Sequence, residues 1–344
     1  MKPDFSYKFS QRIEQYITNN NMIGHGDFVL TGLSGGADSV CLFLLLNKLS
    51  EKLHFSVHAI HVNHNLRGES ARRDEEFSRV LCEKYNIPFK SYSIDVLKKS
   101  KELKLSIEEA GRIARYECFN DYANMISDNI SSDENKKDKG NIKIAVAHHM
   151  NDQAETVIFN MLRGSGLKGV SGMKPVNDRI IRPLLCVTRE EILQYLSENN
   201  QNYCIDETNS DNDYSRNLIR NEIIPSLIKI QPKTKEHIAN MADESREAMG
   251  FIEETVKRYF DEYCVKEQDG YRINTKALKD ENAFIVRELI IYVLKQMIVN
   301  YKDITRTHIE DIYGLFSKGK GKYVMLPYRI TARKEKDSVV IEKF

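Results

Sequence analysis

At 344 residues, with 41% hydrophobic and 29% charged side chains, the chain has the make-up of a globular protein and length for roughly two or three domains. A formal net charge of +1 excludes a polycation, so any surface for a polyanion must come from local clustering. No apolar run approaches membrane-spanning length, and Met1-Lys2-Pro3-Asp4-Phe5 has no signal-peptide core, so a cytoplasmic protein with no membrane partner is expected.

In chain order, Ile13, Tyr16 and Ile17 predict a short amphipathic helix between Phe5 and Asn21. Phe28-Val29-Leu30-Thr31 reads as a buried strand, followed by Ser34-Gly35-Gly36-Ala37-Asp38-Ser39 and the apolar helix that begins at Val40. Strand, glycine turn and helix in succession gather unpaired backbone N–H groups and the positive end of a helix dipole around one small volume, which suits an anion. Gly35 and Gly36 have no Cβ to hold a phosphate away, and Ser34 and Ser39 add hydroxyls and a candidate helix cap. The Lys-Ser/Thr ending of a Walker loop is missing, and an aspartate stands in its place. A carboxylate beside a polyphosphate is repulsive unless a divalent cation lies between them, so Asp38 implies Mg²⁺ with few protein ligands. The alternative is an ordinary glycine turn.

Further strands are predicted at 55–62, 88–94, 142–147 and 179–185, with helices at 70–85 and 106–125 and another through Ala154 and Val157 to Met161. The polar stretch 127–141 reads as a surface loop. Strands alternating with helices give an α/β class, a doubly wound, mostly parallel five-stranded sheet. The polar clusters fall at the carboxyl ends of its strands, where such sheets bind ligands. After Pro225 the texture becomes a long helix from Pro232 to Tyr263, then a short strand at 271–273, helices near 281–299 and 305–316, and strands at 323–326 and 338–341, a small α+β domain. The expected division is therefore 1–225 and 226–344. Six cysteines are scattered with no Cys-x-x-Cys pair, so no disulfide or metal framework follows, and the clustered histidines lack the spacing of a helical metal pair.

The loop resembles the pyrophosphate loop, Ser-Gly-Gly-x-Asp-Ser, of the N-type ATP pyrophosphatases, whose fold is adenine nucleotide alpha hydrolase-like. Further blocks resemble one group within it, the tRNA(Ile)-lysidine synthetase family. They are His61-Val62-Asn63-His64-x-Leu66-Arg67, Glu108-Glu109-Ala110-Gly111-Arg112-x-x-Arg115-Tyr116 and His148-His149-x-x-Asp152-Gln153-Ala154-Glu155-Thr156. Arg163-Gly164-x-Gly166, Arg182-Pro183-Leu184-Leu185, Asp206 to Asn209 and Arg216-Asn217-x-Ile219-Arg220 continue the series. Two positions depart from the family pattern: Asn151 stands where an Asp is usual, and Gly111 where Ala is frequent.

The resemblance implies that ATP adenylates the 2-oxygen of the wobble cytidine in the CAU-anticodon isoleucine tRNA, and that free L-lysine then displaces AMP to give lysidine, with pyrophosphate the other product. ATP is the co-substrate and Mg²⁺ the metal. It assigns ATP to Ser34, Gly35, Gly36, Ala37, Asp38, Ser39, His61, Asn63, Arg163 and Gly164, the metal to Asp38, and catalysis to Asp38, Arg112, Arg115 and Asp152. Arg112 and Arg115 share a helix face and suit a phosphate, or are simply surface arginines. Asp152 reads as metal ligand, amine orienter or helix cap, and Arg163 as phosphate or turn residue. Lys318, Lys320 and Lys322 on a glycine-rich turn, with Arg216 and Arg220, are the tRNA candidates; a solvated turn is the other reading of the lysines. Competing functions are a tRNA thiolase on the same fold, which the missing cysteine pairs disfavour, and a non-catalytic RNA-binding relative. A homodimer is an open option.

Overall fold

The computed structural model describes residues 4–65, 68–131, 140–205, 214–299 and 301–344. Leu66, Arg67 and the expected Asp206–Asn209 block lie outside the described residues, as does 132–139 of the expected polar loop. The chain divides into two compact units, Met1–Glu244 and Ser245–Phe344.

In the first unit, α1 (Phe5–Asn19), β1 (Phe28–Gly32), α2 (Ala37–Leu53), β2 (Ser56–Asn63), α3 (Glu69–Lys84), β3 (Phe89–Ser93), α4 (Val96–Leu103) and α5 (Ile107–Ser131) lead to β4 (Ile142–Ala145). Then come α6 (Met150–Leu162), α7 (Gly166–Val170), β5 (Val176–Asn177), β6 (Ile180–Ile181), α8 (Arg189–Glu198), α9 (Tyr214–Leu218), a π-turn at Ile219–Ile223 and α10 (Ile224–Ile230). The sheet order is β3-β2-β1-β4-β6-β5. The first five of these are parallel, as expected, and β5 adds a two-residue antiparallel edge. The expected strand 179–185 stops at Ile181, because Pro183 opens a 3₁₀ turn over Pro183–Cys186.

Alternation along the strands sorts the core onto two faces. Val29 and Leu33 join Val40, Leu46, Ile13 and Tyr195 on the side of α1, α2 and α8, while Leu30, Ile60 and Ile144 meet Phe119 of α5. At Gly32 a Cβ would stand 2.9 Å from the Phe119 ring, so this position must be bare for α5 to close over the end of β1. β1 pairs with β2 on one side and β4 on the other, and the strand order reverses between β1 and β4. A crevice therefore opens at their carboxyl ends.

The unit boundary falls within α11 (Thr234–Tyr263), close to the long helix read from the sequence. The second unit continues with β7 (Cys264–Lys266), β8 (Gly270–Asn274), α12 (Ala283–Met297), α13 (Arg306–Gly314), β9 (Tyr323–Leu326), β10 (Ile330–Lys334) and β11 (Ser338–Lys343). Its five-stranded antiparallel sheet, β7-β8-β11-β10-β9, packs Ile273, Ile330 and Ile341 against Leu289, Val293 and Ile312. The strands β7 and β10 have no counterpart among the sequence expectations. Among the described residues no helix is long and apolar enough to cross a membrane.

Candidate active site

The loop between β1 and α2 lies at the crevice. Gly35 takes φ +88°, a left-handed conformation in which its backbone passes Cys204, whose N–H donates to the Gly35 carbonyl at 2.9 Å. Gly36 is the N-cap of α2 and supplies no side-chain cap. The first helical hydrogen bond is Val40 N–H to the Gly36 carbonyl at 3.0 Å, and the N–H groups of Ala37, Asp38 and Ser39 meet no acceptor among the described residues. The serines do not cap them. Ser39 Oγ turns back to the Gly36 carbonyl at 2.9 Å and lies 3.1 Å from Ser34 Oγ, so the hydroxyls brace the turn and leave the amides for an anion. Ser34 is exposed and Gly36 and Asp38 are half-buried, which keeps the loop open to a ligand.

β4 delivers His148 and His149, and His149 is the N-cap of α6. The buried His149 imidazole lies between two carboxylates, its Nε2 at 3.7 Å from Asp38 Oδ2 and its Nδ1 at 3.5 Å from Asp152 Oδ2. Asp152 Oδ2 also accepts the His149 N–H at 3.0 Å, so this carboxylate closes the first turn of α6 from its third position rather than from the cap. Burial alone would raise the Asp38 carboxyl, but His149 and the Arg189 guanidinium outweigh it and hold it below its ordinary value. Burial likewise works against a charged His149, and its two carboxylate neighbours win, so its pKa is raised.

Arg189 was not among the residues the sequence singles out, and neither was its helix α8. Its Nη1 donates to Asp38 Oδ2 at 2.6 Å. The signal was present: Thr188-x-x-Glu191 is a capping box, made here by Glu191 Oε2 to the Thr188 N–H at 2.8 Å and Thr188 Oγ1 to the Glu191 N–H at 3.3 Å. Asn151 Oδ1 accepts the Arg189 N–H at 3.1 Å, giving that departure from the family pattern a duty in aligning α8.

His148 accepts from Arg182 Nε at 3.3 Å through Nδ1, which puts the proton of the neutral ring on Nε2. Burial, with Arg182 and Arg115 adding to it against Asp152, pushes its pKa down to about 4. Arg115 thus belongs to the same neighbourhood. It is solvent-accessible, yet the surrounding protein desolvates it and lowers its pKa, and among the described residues it meets His64 Nε2 at 3.5 Å and no carboxylate. Arg112, one turn earlier, is exposed and forms no ion pair among the described residues.

Other expected residues stand elsewhere. His61 and Asn63 are buried at the end of β2, where His61 Nδ1 meets the Leu33 carbonyl at 2.8 Å and Asn63 Oδ1 accepts the Asn65 N–H at 2.9 Å. They shape the ground behind the loop. Arg163 and Gly164 follow the far end of α6, about 20 Å from His149 by helical rise, with Arg163 stacked on Phe159. The structure does not bring them to the loop. Arg220 is engaged by the buried Glu155 through two bonds of 2.8 Å, and Arg216 by Glu108 at 2.9 Å. Lys318, Lys320 and Lys322 are exposed in the second unit, whereas Lys334 of β10 is buried with Nζ on Thr275 Oγ1 at 2.6 Å.

Asp38 Oδ1 is the atom that bears on a metal. It is buried with no hydrogen-bond partner among the described residues, and an orphaned anionic oxygen at the mouth of an anion site suits a hard dication. Among the described residues no group of three or more His, Cys, Asp or Glu side chains is arranged to hold a metal ion by itself, so such an ion would take most of its ligands from phosphate and water, which is how Mg²⁺ binds.

Residues 5–227 match the PP-loop domain. Over 334 residues the chain is 39% identical to tRNA(Ile)-lysidine synthase of Clostridium perfringens, covering 96% of this chain and 68% of the relative. It is 35% identical to the enzyme of the same name from Caldanaerobacter subterraneus subsp. tengcongensis (98% and 68% covered) and 38% to that of Petrotoga mobilis (82% and 83%). A solved U34-tRNA thiolase from Methanococcus maripaludis shares the fold, with a TM-score of 0.53 at 21% identity over 70% of this chain and 78% of that one. The chain belongs to the tRNA(Ile)-lysidine synthase family of PP-loop proteins.

Proposed function

We propose that the protein forms lysidine on the CAU-anticodon isoleucine tRNA in the cytoplasm, consuming ATP and free L-lysine and releasing AMP and pyrophosphate. The observation that carries this is the row of three amides at the start of α2 that meet no acceptor among the described residues, beside a carboxylate with one oxygen that has no hydrogen-bond partner among them. The pyrophosphate portion of ATP sits on those amides, where charge builds as the bond between the α and β phosphates breaks. The 2-oxygen of the cytidine attacks the α-phosphorus, pyrophosphate departs, and the base carries an adenylate. The lysine ε-amine, having lost a proton, then attacks C2, the C2–O bond breaks and AMP leaves.

Asp38 would hold Mg²⁺ through Oδ1, and the ion supplies charge neutralisation on the phosphates. Arg112 and Arg115 lie on one face of α5 with no carboxylate partner among the described residues, which suits them to the α-phosphate. Asp152, aligned by the His149 N–H, is suited to orient the incoming amine. The exposed lysines of the second unit are suited to the tRNA backbone. Sulfur transfer is the weaker reading, because the six cysteines include no Cys-x-x-Cys pair to hold a metal or cluster.

The test is incubation with ATP, Mg²⁺, labelled lysine and total tRNA. Label is expected only in the CAU-bearing isoleucine tRNA, and Asp38→Asn is expected to abolish it. Label in no tRNA, or normal turnover by Asp38→Asn, would refute the function or the metal role respectively.

A further inference from the structure

Resting on that function, we propose that Arg189 is the resident counter-ion of Asp38 in the nucleotide-free protein and passes to the β and γ phosphates when ATP enters. One guanidinium would thereby hold the metal-binding carboxylate in place and then neutralise the departing pyrophosphate.

The backbone under Arg189 is fixed while its side chain is not. The capping box of α8 sets the helix start, Met150 N–H donates to the Val187 carbonyl at 2.8 Å, and Asn151 Oδ1 holds the Arg189 N–H at 3.1 Å. These bonds clip the first turns of α6 and α8 together beside the loop. The Arg189 side chain is 48% exposed, and among the described residues its only side-chain bond is Nη1 to Asp38 Oδ2 at 2.6 Å. A guanidinium carries five N–H donors in a planar fork, and here one contact uses a single nitrogen.

Occupancy of the site changes what that fork prefers. With no nucleotide, Asp38 is the nearest anion and Oδ2 holds it. A triphosphate brings several negative charges and pairs of oxygens that match the fork bidentately, while a dication on Asp38 removes the carboxylate's need for Arg189. The amides of Ala37, Asp38 and Ser39, which meet no acceptor among the described residues, place those phosphates within the neighbourhood of Asp38. The side chain therefore has two stations, and the ligand decides between them.

Calorimetric binding of α,β-methylene-ATP, which cannot be cut at the scissile bond, separates the two stations without turnover. Arg189→Gln in the full chain is expected to reach half-saturation at a Mg²⁺ concentration about three- to tenfold lower than the parent, because nothing competes for Asp38. At saturating Mg²⁺ the same variant is expected to bind the nucleotide about tenfold more weakly, and Arg189→Lys to recover part of that affinity. Arg189→Met carries the same expectation as Arg189→Gln where the latter does not fold. A guanidinium that stays on Asp38 as a strut would leave nucleotide affinity at saturating Mg²⁺ unchanged or improved; that result, or a Mg²⁺ requirement that does not fall, overturns the proposal. Failure of the parent to label the isoleucine tRNA refutes the lysidine function alone, since the binding titrations still decide what Arg189 does.

Discussion

Gly35→Ala tests the loop where its backbone is most demanding. Two effects oppose the substitution. At φ +88° an alanine pays for a left-handed conformation, about 1–2 kcal/mol. Its Cβ would also stand 3.3 Å from Cys204 Sγ and 3.4 Å from the Asp74 carbonyl oxygen, approaches that neighbours can relieve by a few tenths of an ångström. Against them, alanine loses less chain entropy on folding, worth about 0.4–1 kcal/mol. The backbone cost is the largest of these and the entropy gain offsets part of it, so a net loss of about 1 kcal/mol is expected in urea unfolding of the first unit. Shrinking the neighbour distinguishes strain from contact: in a cycle with Cys204→Ala, the coupling should stay below about 0.5 kcal/mol, since removing a sulfur leaves φ unchanged. Full recovery in the double variant, or a Gly35→Ala protein as stable as the parent, would show that the left-handed turn does not govern this loop.

The same replacement at Gly111 should act in the opposite direction. That residue lies inside α5, and its Cβ would meet Val96 Cγ1 at an ordinary 3.6 Å, so Gly111→Ala should stabilise by about 0.5–1 kcal/mol, read from the denaturation midpoint. Nothing in the structure requires a glycine there. His148 gives a pH dependence. With its pKa lowered from 6.5 to about 4, the unfolded chain takes up a proton that the native ring refuses, so stability is full above pH 6.5 and falls as pH drops toward 4, by roughly 3 kcal/mol at most. His148→Gln should flatten that limb of a stability-versus-pH curve while leaving other acid-sensitive limbs in place. Replacing Lys318, Lys320 and Lys322 together by Gln should weaken tRNA binding and reduce its salt slope by about 2–3, with turnover at saturating tRNA retained. An unaltered slope in a filter-binding titration would remove these lysines from the interface.

The α/β alternation, the glycine loop after β1 and the α11 helix were legible in the residues themselves, because each is written in local chemistry: apolar runs of strand length, paired glycines before a helix, and apolar positions three and four apart. β6 was legible in place within the expected strand 179–185 but not in length, because Pro183 cuts it short, and β5 was not legible, since two residues beside a turn carry no periodicity of their own. Lys334 reads as a surface charge among lysines, yet β10 turns it inward onto Thr275, because side chains alternate in direction along a strand and only the register decides which face is buried.

The site divides in the same way. Asp38 and Asp152 could each be named from their motifs, but not that His149 would stand between them. Arg189 lies 151 residues beyond Asp38, and the two meet only because the strand order reverses between β1 and β4, bringing the starts of α2, α6 and α8 to one edge of the sheet. Composition and spacing therefore determined what kind of chemistry the chain contains. Which side chains share charge was decided by folding, because electrostatic pairing depends on distance through space and a sequence records only distance along the chain.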